Sequence, residues 1–306
     1  MVIHLGSRRS ALSLILAAAC WGLGTVISKR ALDEIPPFTL LPIQLAASVI
    51  ALAALMRARG LRLRGDTGDP ILGRLGLLNP GLAYAFSLVG LVSITASLSV
   101  LLWAGEPLLI LVLAAVLLHE RLTASLVAFS VAAVAGLLLV VVDPATSGQW
   151  IGIGLTVAGV ACCATYTVVA RRWLATAGST AQVLLVQQVY ALAFAGLILL
   201  GSIVLGGTLS SGPVSAAAWL SAVVSGILYY AGAYWLYLTG LRATRASVAA
   251  VAFYLIPIFG VAGGIFLLGD QLALRQWIGA AIVLGAVVRL IWTPAAAPAP
   301  EPSASS

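Results

Sequence analysis

Apolar residues gather along this chain into ten runs of roughly 20 residues, with polar and charged residues falling between them. A helix of that length crosses the ~30 Å hydrocarbon layer of a bilayer. The pattern predicts spanning helices over Ser10–Lys29, Pro37–Met56, Ile71–Leu91, Ala96–Leu118 and Ala124–Val142. A second set follows over Trp150–Ala170, Thr180–Leu205, Pro213–Thr239, Ala246–Leu268 and Arg275–Trp292. Pro36-Pro37 suits the start of the second helix, and Asn79-Pro80-Gly81 interrupts the third. Asp143-Pro144 and Ser147-Gly148 mark a boundary between halves. The Pro/Ala/Ser-rich tail, residues 293–306, has too little apolar surface to build a core and is expected to be disordered.

The two sets repeat one another. Ala96–Leu122 returns 150 residues later as Ala246–Leu272, with Pro257 on Pro107, Asp270 on Glu120, Ser247 on Ser97 and Leu272 on Leu122. At an offset of 142, Cys20, Thr25, Val26, Lys29, Arg30 and Leu32 fall on Cys162, Thr167, Val168, Arg171, Arg172 and Leu174. That echo argues against reading Arg8-Arg9 and the following apolar run as a removable signal peptide, since such a signal would have no copy in the mature core. Two repeats are therefore expected, over residues 10–142 and 150–292. Five crossings per repeat is an odd number, so the second copy enters the membrane from the opposite side and the repeats are inverted. With the N-terminus inside, thirteen of the sixteen Lys and Arg residues face the cytoplasm, leaving Lys29, Arg30 and Arg275 outside. This excess places both termini in the cytoplasm.

Composition agrees with the pattern. The chain is 62% hydrophobic and 8% charged, with a mean hydropathy of +1.12, against about a quarter charged in soluble domains. The net charge of +7 is spread over short loops, which reads as a topological signal and excludes a nucleic-acid surface. Cys20, Cys162 and Cys163 lie within apolar runs and read as small packing groups. No nucleophile triad, metal-ligand spacing or phosphate-binding glycine loop is present in the sequence, so neither a cofactor nor a nucleotide-driven mechanism is expected.

Candidate chemistry centres on Glu106, which lies ten residues into the fourth helix and so near mid-bilayer. A charge at that depth costs about 2.5–3.5 kcal/mol on insertion scales. Such a group binds a cationic substrate or carries a proton, or it is a protonated packing group bonded to a neighbouring helix. Its repeat mate is Ile256. Pro80, Pro107 and Pro257 interrupt helices three, four and nine and are candidate hinges, with static kinks as the plainer reading. Tyr230, Tyr234 and Tyr237 share one face of helix eight. Gln187, Tyr190 and Phe194 align on helix seven, and Gln44 aligns with Ser48 on helix two. With Trp21, Tyr84, Trp103 and Tyr254, the residues Tyr230, Tyr234, Gln187 and Gln44 complete a candidate solute-binding set around Glu106. Packing is the alternative for each. Gly22 and Gly24 read as close-approach positions. Glu120, Arg121 and Asp270 close helices four and nine, as dipole-tuned ends or as a gate pair, and His119 reads as an exposed residue, with a proton acceptor at the interface as the alternative.

Ten segments in two halves, the Cys20-Trp21-Gly22 triplet, Pro107 with His119-Glu120-Arg121-Leu122, and Pro257 with Gly269-Asp270-Gln271-Leu272 together resemble the drug/metabolite transporter superfamily, in particular its EamA-type members. The second half departs from that pattern, with Cys163-Ala164 for Trp-Gly and Asp270-Gln271 for Glu-Arg. The resemblance implies an all-α, ten-helix carrier in the cytoplasmic (inner) membrane, with a central cavity lined by helices one, three, four, six, eight and nine. It further implies alternating access and export of small organic metabolites such as amino acids. Multidrug efflux or uptake is the alternative within transport, and a membrane-embedded enzyme is the alternative outside it. The expected partners are a small-molecule substrate and the lipid bilayer. Coupling to protons and a monomeric or homodimeric state are open.

Overall fold

The computed structural model describes residues 5–61, 70–106, 149–174, 180–210, 212–242 and 255–292, with scattered positions between 109 and 139. All regular elements among these residues are helical. Helix α1 is Leu5–Leu32 and α2 is Pro37–Ala58. The latter begins where Pro36 holds an extended backbone and Pro37 occupies the first turn, whose N–H groups have no intrahelical partner in any case.

The third span is broken, as the Asn-Pro-Gly triplet predicts. It runs as α3 (Pro70–Arg74), a 3-10 turn (Leu75–Leu77), a π turn (Leu78–Leu82) and α4 (Ala83–Ser93), with Asn79 at φ −142°, ψ 116°. Helix α5 (Ala96–Trp103) starts at Thr95, whose hydroxyl accepts from the Leu98 N–H at 3.1 Å. The chain then turns at Ala104–Gly105 before residue 106 resumes helical geometry. This loosened turn precedes Pro107, which has no N–H to return to the Trp103 carbonyl.

In the second half, α6 is Trp150–Leu174 and α7 is Thr180–Val204. Helix α8 (Ala216–Gly226) begins later than the expected Pro213, because Ser215 supplies the cap, its hydroxyl accepting from the Ala218 N–H at 3.1 Å. A π turn (Ile227–Gly232) joins it to α9 (Ala233–Arg242). Helix α10 (Leu255–Gly263) passes into a third π turn (Gly264–Leu268), ended by Gly269 in the left-handed region at φ 73°. Helix α11 is Leu274–Trp292.

Six of the described helices are long and apolar enough to cross a membrane, and Leu255–Leu268 and Leu274–Ala286 are shorter apolar helices. The radial distribution of side chains fits lipid as the solvent. Val204 and Phe266 are 77% and 85% exposed. Gln44, Ser48, Thr156, Gln188 and Ser225 are fully buried. Polar groups inside and apolar groups outside is the arrangement expected where lipid cannot satisfy a hydrogen bond.

The helix contacts respect the repeat. Helix α1 packs on α8, the π turn after it and α9, while α6 packs on α4 and its π turn. Likewise α2 meets α8 and its π turn, and α7 meets the 3-10 and π turns of the third span. The α1–α10 contact has its counterpart in α6–α5, and the α2–α7 and α5–α10 pairs map onto themselves. Small residues permit the closest approaches. A Cβ on Gly22 would stand 2.7 Å from the Gly260 nitrogen and from the Ile256 carbonyl oxygen. A Cβ on Gly159 would meet the Ala83 carbonyl at 2.5 Å.

Candidate functional site

The two broken helices deliver the centre of the molecule. Each π turn ends at an Ala-Tyr pair, Ala83-Tyr84 and Ala233-Tyr234, which occupy equivalent positions 150 residues apart. The two hydroxyls face each other at 3.4 Å, so the repeats meet through these tyrosines. Extending the 150-residue frame backwards from helices four and nine to AYxxxLxG at Ala83–Gly90 and Ala233–Gly240 is the sequence signal that marks this pair.

Further rings build outwards from it. Trp103 of α5 stacks on Tyr84 with centroids 5.5 Å apart and 14° between planes, while its indole N–H donates to the Ser87 hydroxyl at 3.2 Å. Tyr229 and Tyr230 meet Tyr84 edge-on at 5.2 and 5.1 Å. Trp21 of α1 meets Tyr234 edge-on at 5.2 Å and Tyr237 at 5.7 Å. Offset and edge-to-face geometries suit the ring quadrupoles and add about 0.5–1.5 kcal/mol per pair beyond area burial. Trp21, Tyr84 and Tyr230 are buried, whereas Trp103, Tyr229, Tyr234 and Tyr237 keep partial exposure.

Glu106 follows Trp103 by three residues, just past the turn at Ala104–Gly105 that ends α5. It keeps partial exposure although protein surrounds it. The Cys163 thiol of α6 hydrogen-bonds its carboxyl group, and it acts electrostatically on the Tyr229 and Tyr237 hydroxyls. This corrects the reading of Cys163 as a mere packing group: its thiol is a weak donor, and the Glu106 carboxyl group supplies the acceptor. The offset of 142 makes Cys163 the mate of Trp21, while Ile256 is the mate of Glu106. Ile256 packs against the cluster that contains Trp21. The same pair of positions is thus apolar in one half and polar in the other.

Tyr229 was not legible as a site residue, because an α-helical period groups Tyr230, Tyr234 and Tyr237. The π turn adds one residue to that turn, which brings Tyr229 over Tyr234 at a spacing of five. Tyr230 is left in the packed interior behind it, its backbone carbonyl accepting from the Gln188 amide at 2.8 Å.

The two predicted glutamines lie one layer behind the rings. The Gln44 amide donates to Ser28 and Ser225 hydroxyls, each at 2.8 Å. The Gln187 amide donates to the Leu72 carbonyl and its oxygen accepts from the Tyr166 hydroxyl, each at 2.9 Å. These are mirror roles, since the Gln44 backbone abuts Gly226 and the Gln187 backbone abuts Gly76, its mate at 150 residues. Each glutamine clamps a broken helix. Pro80 sits in the irregular π turn of the third span, and Pro257 is buried in the first described turn of α10. Tyr254, Pro107, His119, Glu120 and Arg121 lie outside the described residues.

One end of the molecule is tied across the halves. The Asp270 carboxylate accepts from the Ser97 N–H at 2.9 Å, in the first turn of α5. Within the first half, at the same end, Lys29 donates to the Leu91 and Val92 carbonyls at the end of α4, at 2.6 and 3.0 Å. The Glu34 carboxylate accepts from the Ser215 N–H at 2.6 Å and hydroxyl at 2.7 Å, at the start of α8. These two bonds hold the Glu34 carboxyl below its ordinary pKa.

Among known proteins, the EamA-like transporter family model matches residues 8–142 and again residues 146–292. No curated protein matches the chain. One crystal structure aligns with 93% of this chain and 96% of its own, at a TM-score of 0.64 and 21% identity, a likeness of fold.

Proposed function

The chain belongs to the EamA-like transporter family, a small-molecule transporter family of the drug/metabolite transporter superfamily, and on that premise we propose that it exports small organic metabolites, amino-acid-like solutes among them, by alternating access. The observation that supports this reading is the central cluster itself. Glu106, Trp103, Tyr229, Tyr234 and Tyr237 keep accessible surface while surrounded by protein, at the meeting point of the two repeats. In our reading, ten helices cross the inner membrane as inverted halves with both termini cytoplasmic. The Glu34, Lys29 and Asp270 ties then form the outer closure. Opening it moves α8 and α10 away from α1 and α5, with the irregular turns around Pro80 and Ile227–Gly232 and the candidate hinge at Pro257 absorbing the change.

Energy comes from a gradient, because no phosphate-binding loop is present in the sequence. With Glu106 as the carrier, proton antiport follows from competition: one carboxylate holds either a proton or a solute. The Cys163 thiol orients the carboxyl group for that exchange. A membrane-embedded enzyme would need several polar catalytic groups converging on one point, and the described residues bring a single acid to the centre. Glu106→Gln keeps the shape and removes the charge. Proteoliposomes carrying it are expected to lose the pH dependence of solute flux, while thermal stability in detergent stays near wild type. Flux identical to wild type at every pH sinks the coupling proposal.

A further inference from the structure

The two adjacent glutamines of α7 serve different halves. The Gln187 amide donates to the Leu72 carbonyl of the broken third span, at 2.9 Å. The Gln188 amide donates to the Tyr230 carbonyl inside the π turn between α8 and α9, at 2.8 Å. Gln188 is fully buried, and its own oxygen accepts from the Ser48 hydroxyl of α2, which fixes the end of the amide that faces the turn. A π turn opens the backbone ladder, and in lipid a carbonyl tilted out of that ladder takes its donor from a neighbouring helix. The same span is held just before the turn by Gln44, whose amide donates to the Ser225 hydroxyl near the end of α8. In α2 the residue that follows Gln44, as Gln188 follows Gln187, is Leu45, whose side chain has no donor to give.

On the reading that the ring cluster is the transport site, we propose that Gln188 is a positioning residue for it: its amide holds the extra residue in the π turn, and that register brings Tyr229 to the rings. Tyr229 stands five residues before Tyr234. In an α-helix the two would diverge by about 140° around the axis. The π turn closes that gap, and Tyr229 meets Tyr84 edge-on at 5.2 Å. Tyr229 also covers Gly24 of α1, where an added Cβ would stand 3.2 Å from the Tyr229 Cβ. Without the Gln188 donor the turn gains by returning to the α-helical ladder, which pairs each carbonyl with the amide four residues on. Tyr229 then rotates away from Tyr84 and from Gly24. Gln188 acts through the backbone, one layer behind the rings.

The test reads position directly and needs no solute, so its outcome is separate from that of the transport reading. A Gly24→Cys/Tyr229→Cys pair in the full-length protein, in proteoliposomes, sets two thiols near the Cβ separation of about 3.5–4.5 Å that a disulfide spans. Its oxidation by copper phenanthroline is followed by mass spectrometry, which separates this disulfide from any formed by Cys20, Cys162 or Cys163. Gln188→Met keeps the bulk of the side chain and removes the amide. It is expected to slow the cross-link at least about tenfold, the ratio that one 1.4 kcal/mol interaction supplies. A Glu34→Cys/Ser215→Cys pair is the control, and its oxidation rate is expected to be the same with and without Gln188→Met. Ser48→Ala leaves the Gln188 amide present but unanchored, and is expected to slow the first cross-link by a smaller factor. An unchanged first cross-link in Gln188→Met overturns the inference. Where Gln188→Met slows both pairs alike, Ser48→Ala decides: selective slowing of the first pair upholds the inference, and any other result overturns it.

Discussion

Single residues decide how closely the repeats meet. Gly22 lets α1 touch the backbone of α10, and a methyl group there would press on main-chain atoms that cannot rotate away. Gly22→Ala should destabilise the protein by about 1–3 kcal/mol, the usual cost of overpacking, read as a lowered unfolding midpoint in detergent. A Cβ on Gly24 would instead meet the Tyr229 ring, its nearest atom at 2.9 Å, so Gly24→Ala perturbs the site more than the fold. Both glycines were legible from the sequence as close-approach positions. The Tyr84–Tyr234 hydroxyl pair was not, because two residues 150 apart in sequence carry no local sign that they touch. At 3.4 Å that bond is long. Tyr84→Phe should therefore cost about 0.5 kcal/mol, the low end for a hydrogen bond, and a double cycle with Tyr234→Phe should show the two losses to be shared.

At the scale of elements, α8 depends on its start. Ser215 caps the helix with its own hydroxyl and also presents its N–H and O–H to Glu34 from the loop before α2. Ser215→Ala removes the cap and half of the tie, and should cost about 1 kcal/mol. The tie also has a pH signature. Its two donors favour the charged form and depress the Glu34 pKa in the folded protein. Its contribution is therefore complete above the ordinary carboxylate range and is lost as pH falls through the depressed value. Acid titration of the unfolding midpoint should show this loss in the wild type, with a smaller slope in Glu34→Gln. The run of apolar residues announced helix eight, but Pro213 suggested an earlier start than the structure has, since a serine able to accept from a helix N–H outweighs a proline two residues before it. The π turn within the span was invisible for a related reason. Residue types do not mark it, and it lies where the span packs on α1 and on Gln44 of α2.

For the whole molecule, alternating access predicts that the tied end must open once in each cycle. A Glu34→Cys/Ser215→Cys pair, oxidised across the two loops, should arrest counterflow, and reduction should restore it. Full flux in the oxidised, verified cross-link would show that this end stays closed throughout the cycle and would overturn the rocking scheme. The same experiment at Ser97 and Asp270 tests the α5–α10 contact.

The chain's order of apolar runs determined the class, because a helix must be long enough to cross lipid and apolar enough to remain there. The duplicated Pro-to-acid frame likewise determined that there are two repeats. A lone acid in an apolar run identified Glu106, since lipid penalises charge wherever it stands. Which groups surround that acid was decided only by the tertiary structure. Cys163 reads as apolar until a carboxyl group faces it, Tyr229 joins the rings through a π turn, and Gln44 and Gln187 look like ligand groups until their amides are found clamping broken helices. Each of these depends on contacts between halves that lie far apart in sequence, and a periodicity read along one strand of chain cannot register them.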